Sequence, residues 1–139
     1  MTDTAYIALG SNLGNREASL ARARDAIEAI TGVSIVQSTA VEETAAFGPI
    51  AQGPFLNQML AVSTELSPRT LLTALQRIER AGGRLRTVRW GPRTLDLDIV
   101  MIDGVEVSEE GLTVPHPELS NRDFWLRELA ELRGASDGR

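Results

Sequence analysis

The sequence predicts an α+β fold: a ferredoxin-like βαββαβ antiparallel sheet with helices packed on one face, plus a C-terminal helix. Three observations lead there. Apolar residues are 42% of a 139-residue chain, enough for one core in a single domain spanning residues 1–139. Short β-compatible runs and helical-period segments follow in the order strand, helix, strand, strand, helix, strand, helix. No apolar run approaches the roughly 20 residues that cross a bilayer.

Taken in order, Ala5 to Leu9 is a short apolar strand that ends in the turn Gly10-Ser-Asn-Leu-Gly14. Asn15 caps a helix whose Leu20, Ala23, Ile27 and Ile30 recur at helical spacing and which stops at Thr31-Gly32. Val33 to about Thr39 and Phe55 to about Leu66 are the next two strands. Between them Glu42 to Pro54 reads as a long Gly/Pro-containing loop, a length that in small domains often serves function. Ser67-Pro68 starts a second helix, with Leu71, Leu72, Leu75 and Ile78 on its buried stripe and Gly82-Gly83 as its stop. A second loop, Arg84 to Arg93, leads into a strand from Thr94 to Ile102. A hairpin is expected at Asp103-Gly104, with Val105 and Val107 on its far side. The last helix is placed from near Ser120, carrying Phe124, Trp125, Leu129 and Leu132, with 134–139 as a frayed tail.

Absences narrow the chemistry. There is no Cys and no Lys, so thiolate catalysis, Cys-ligated zinc, Schiff-base chemistry and a Walker-type phosphate loop are all excluded. His116 is the single His, which removes multi-His metal sites. A net charge of −5 argues against nucleic acid as a partner. Met1 to Thr4 lack a signal-peptide pattern, so the expectation is a cytoplasmic chain without a membrane partner. Carboxylate and arginine chemistry remains.

Asp96-Leu-Asp98 is the sharpest feature. Side chains two apart on a strand share a face, so both carboxylates point one way while Leu95, Leu97 and Ile99 can enter the core. Like charges roughly 6–7 Å apart call for a cation between them, and Mg²⁺ takes one or two carboxylates plus phosphate oxygens and water. A solvated acidic strand face is the plainer alternative. Just upstream stand Arg84, Arg86, Arg89 and Arg93, whose guanidinium groups match phosphate oxygens in a bidentate fork or simply make a charged loop. Trp90 in the same loop can stack on a flat heterocycle or anchor its own loop. Phe55 and Asn57 share a strand face suited to a flat hydrogen-bonding base, although Phe55 suits a core equally well. His116, flanked by prolines, can meet a phosphate or cap local backbone.

Together these residues resemble the hydroxymethyldihydropterin pyrophosphokinases from Tyr6 to about Leu132. The most specific stretch is Arg89-Trp-Gly-Pro-Arg-Thr-Leu-Asp-Leu-Asp98. Ala8 to Gly14, Phe55 to Asn57, Arg77 to Glu79, Val114 to His116 and Asn121-Arg122 support it. The resemblance implies that Asp96 and Asp98 hold two Mg²⁺ ions and that ATP and 6-hydroxymethyl-7,8-dihydropterin are the substrates. It implies catalytic roles for Asp96, Asp98, Arg84 and Arg93. It places ATP against Glu79, Arg84, Arg86, Trp90, Arg93, Ile99, Leu112, Thr113, His116 and Arg122. It places the pterin against Thr44, Ala45, Phe47, Phe55, Asn57 and Phe124. A monomer is expected. The chain departs from the pattern at Ala45-Ala46, where family members often carry Pro, and at Gly111, where a basic residue can stand. Rival readings are a non-catalytic pterin- or nucleotide-sensing module and an Asp-x-Asp nucleotidyltransferase.

Overall fold

A computed structural model describes residues 2–45, 52–81 and 95–136. Its elements are β1 (Asp3–Ser11), α1 (Arg16–Glu28), β2 (Val33–Ser38), β3 (Glu42–Thr44), β4 (Phe55–Thr64), α2 (Pro68–Ala81), β5 (Asp96–Ile102), β6 (Val107–Glu109), β7 (Leu112–Val114) and α3 (Asp123–Ser136). The main sheet runs β2-β4-β1-β5 with every pairing antiparallel. That is the strand order of two split βαβ units, as the sequence predicts.

Both helix starts follow local chemistry. The Asn15 side chain accepts the Ala18 N–H at 3.1 Å, and the Ser67 hydroxyl accepts the Thr70 N–H at 3.2 Å. Leu20, Ala23 and Ile27 of α1, and Leu71 and Leu75 of α2, then enter one core with Ala5, Ile7 and Leu9 of β1.

The other parity of the same strands builds a second core. Tyr6, Ala8, Met59, Ala61 and Val100 pack against Trp125, Leu129 and Leu132 of α3. As expected, α1 and α2 share one face; α3, whose face the sequence left open, covers the other. The central strands are apolar at both parities, so both sheet faces need a cover.

Three local expectations also change. Glu42 to Thr44, read as loop, forms β3, because it finds an open edge on β4 beyond the end of β2. At Asp103-Gly104 there is a tight turn with one bridge, Ile102 to Val105, but Val107 pairs instead with Val114 in the separate β6-β7 hairpin. That hairpin turns at Gly111, whose φ of +75° favours glycine. The final helix starts at Asp123, after a 3-10 turn over Leu119–Asn121 and an extended Arg122, and it continues through Gly134 to Ser136. Among the described residues no helix is long and apolar enough to cross a membrane.

Candidate active site

The site lies on the α3 face, at the end of the sheet where β1 ends and β4 and β5 begin. One transverse row of the sheet reads Asn57 on β4, Gly10 on β1 and Asp96 on β5. The next row reads Met59, Ala8 and Asp98. A cleft of about 220 Å³ opens above these rows, lined by Thr44, Ala45, Phe55, Asn57, Asp96, Asp98, His116, Arg122 and Phe124 among others. Its floor is low because Gly10 has no side chain: a Cβ there would stand 3.3 Å from the Phe55 ring and 3.4 Å from the Asn57 amide oxygen.

Asp96 and Asp98 share the cleft face, while Leu95, Leu97 and Ile99 enter the core behind them. Glu79 fixes this stretch from behind. Its buried carboxylate accepts the Leu97 N–H at 2.8 Å, where among the described residues β5 is the edge of the sheet. At Val100 a bulge in the β1-β5 ladder resets the alternation, so that Ile102 returns to the α1-α2 core.

His116 meets the acids from the far side. Its backbone N–H donates to Val100 O at 2.8 Å, and its Nδ1 accepts the Glu118 N–H at 3.0 Å. The neutral ring therefore carries its proton on Nε2, which stands 3.6 Å from Asp98 Oδ1. Trp125 holds the imidazole edge-on at 5.0 Å, and the Arg122 guanidinium lies 4.3 Å from the Trp125 ring centroid. At the other end, the Asn57 amide donates to Thr44 Oγ1 and to Phe55 O. Phe55 and Phe124 are both half-buried and both line the cleft.

A model of the 7,8-dihydro-6-hydroxymethylpterin-pyrophosphokinase (HPPK) family matches residues 6–134. The chain belongs to the HPPK family. It is 42% identical over 132 residues to the 2-amino-4-hydroxy-6-hydroxymethyldihydropteridine pyrophosphokinase of Bacillus subtilis, covering 95% of this chain and 79% of that one. The Haemophilus influenzae protein of the same name is 42% identical over 134 residues, covering 96% and 82%. In structure, the chain is similar to an HPPK-DHPS solved in complex with substrates, with a TM-score of 0.67 at 12% identity. That match covers 94% of this chain and spans 40% of the other, and it speaks to the fold.

The HPPK-like residues divide into those the cleft gathers and those it does not. Thr44, Ala45, Phe55, Asn57, Asp96, Asp98, His116, Arg122 and Phe124 line it. Glu79, Ile99 and Leu112 are buried, Ile99 and Leu112 within the core on the α1-α2 face, and Thr113 is exposed on β7. Phe47, Arg84, Arg86, Arg89, Trp90 and Arg93 lie outside the described residues, as do the Gly82-Gly83 helix stop and residues 137–139. Sequence reasoning gave no site role to Gly10 or Trp125. Strand alternation from Tyr6 reaches Gly10, but only the pairing puts it between Asn57 and Asp96. Trp125 reads as helix core, and it is core on one side and wall on the other. The donor set suits Mg²⁺: two carboxylates with room above them for phosphate oxygens and water.

Proposed function

We propose that this chain transfers the β,γ-diphosphate of ATP to 6-hydroxymethyl-7,8-dihydropterin and releases AMP. The observation that carries the reading is the single row Asn57, Gly10, Asp96. It joins an amide-and-aromatic slot to a carboxylate pair across one side-chain-free strand position.

In this reading the pterin lies between Phe55 and Phe124. Asn57 is held by Thr44 so that its remaining amide positions face the heterocycle. The hydroxymethyl group then points along the row toward Asp96 and Asp98. Its oxygen loses its proton to solvent and forms a bond to the β-phosphorus as the bond from that phosphorus to the α-phosphate bridging oxygen breaks, and AMP leaves with that oxygen. Asp96 and Asp98 would hold two Mg²⁺ ions, which supply charge neutralisation across the phosphates when bound. We assign His116 and Arg122 to the phosphates, and the resemblance adds Arg84, Arg86 and Arg93. Glu79 fixes the Asp-bearing strand, adenosine is assigned to Ile99, Leu112 and Thr113, and the resemblance adds Trp90. Ala45 is assigned to the pterin slot, to which the resemblance adds Phe47. The chain acts as a single domain and a monomer in the cytoplasm.

The test is product analysis. Chromatography of a reaction with ATP and the hydroxymethyl pterin should show AMP and the pterin diphosphate in equal amounts. Pyrophosphate as the product would mean nucleotidyl transfer instead. No turnover, with binding alone, would mean a sensing module.

A further inference from the structure

The turn from β1 into α1 carries a cation where helix electrostatics disfavour one. Arg16 is the first residue of α1, directly after the Asn15 cap, and the positive end of the helix dipole repels it. Its side chain is committed elsewhere. Nη1 donates to Pro54 O at 2.9 Å, and Nη2 meets Glu43 Oε2 at 3.2 Å. Glu43 stands on β3 and Pro54 immediately precedes β4, at the open end of the β3-β4 ladder, whose last pair is Thr44 with Phe55.

Glu43 and Thr44 point to opposite sheet faces. Glu43 turns toward α1, and Thr44 turns into the cleft, where its hydroxyl accepts from Asn57. The guanidinium thus ties the back of a ladder whose front supplies Thr44, Phe55 and Asn57. β3 is only three residues long and, among the described residues, pairs on one side only, which makes it marginal without such a tie.

We infer that Arg16 is a positioning residue for the aromatic half of the cleft, acting through Glu43 and Pro54 on Thr44, Phe55 and Asn57. This rests on the proposed activity, and it extends it to a residue outside the cleft. A local rule broken at the helix start, with a compensating contact beside a site, is the pattern expected of a functional constraint.

The experiment is steady-state kinetics of the full chain with both substrates, with melting temperatures measured alongside. Arg16→Met removes both contacts and should raise KM for the pterin substrate roughly five- to tenfold, while kcat and KM for ATP stay within about twofold. Glu43→Gln keeps the Pro54 bond and should show a smaller rise. Arg16→Lys should recover part of the loss, since an ammonium reaches one partner but lacks the fork. A merely structural tie would lower the melting temperature and leave pterin KM in place. Pterin KM unchanged in Arg16→Met, or a loss shared equally with ATP KM and kcat, overturns the inference. If Arg16→Met does not fold, Glu43→Gln is judged by the same criterion. A wild-type chain without transfer activity refutes the proposed activity, and the inference falls with it.

Discussion

Asn57 and Asp96 lie in one transverse row of the sheet, two strands apart, with Gly10 as the ladder partner of both. At about 4.8 Å per strand the two side chains rise roughly 10 Å from each other. That separation lets a flat ring sit on one and its exocyclic arm reach the other.

Gly10 keeps the row open. In Gly10→Ala the new Cβ would press on Phe55 and Asn57 at 3.3 and 3.4 Å, and one of them must yield. The expected outcome is a pterin KM raised about tenfold, with ATP KM little changed and the fold retained. Equal kinetics for variant and wild type would show that the row does not set the slot depth.

His116 acts on Asp98 with its Nε2 while Glu118 fixes the ring through Nδ1. In the proposed reading Asp98 holds metal, and a group that orients such a carboxylate typically matters roughly ten- to a hundredfold. His116→Ala should therefore lower kcat/KM by about that factor and raise the Mg²⁺ concentration needed for half-maximal rate. A normal Mg²⁺ dependence in an impaired variant would assign His116 to the nucleotide alone.

The acid pair sets apo stability against function. Two like charges on one face cost about 1 kcal/mol when partly screened. Asp98→Asn should melt slightly above wild type in chelator. With saturating Mg²⁺ and a non-hydrolysable ATP analogue the order should reverse, because wild type gains binding free energy that the variant lacks. The same order in both conditions would mean a merely solvated acidic face.

Glu128 on α3 gives a pH dependence. Burial first, and the Glu42 carboxylate second, push it from 4.5 up to about 7. Between those values the folded chain keeps a proton that the unfolded chain has lost. Its contribution is thus fully present below about pH 4.5 and is lost as pH rises through about 7. Charged Glu128 then costs on the order of 2 kcal/mol, allowing for solvent screening. Glu128→Gln mimics the protonated form. Its stability should match wild type near the acid end of the window and exceed it at about pH 8. A wild-type-minus-variant difference that stays flat with pH would rule this out.

Much of this protein was legible along the chain. The strand and helix order followed from period-2 and period-3.6 patterns, and the caps at Asn15 and Ser67 followed from local hydrogen bonding, which needs no tertiary partner. Asp96 and Asp98 could be assigned to one face because alternation on a strand is local geometry. β3 could not be read, because three residues with Glu42 and Glu43 among them become a strand only where β4 leaves an edge unpaired. The placement of α3 on the second face could not be read either, since an amphipathic helix does not say which apolar surface it will cover.

The site divides in the same way. Sequence identified Asn57, Phe55, Asp96, Asp98 and His116 by residue type and spacing. Their meeting at one cleft depends on strands 40 residues apart pairing with a common neighbour, and so on register. Gly10 and Arg16 show the limit most clearly. A glycine read as part of a turn and an arginine at a helix start do not by themselves show what they touch. Long-range pairing alone places the first between Asn57 and Asp96 and the second across Glu43 and Pro54.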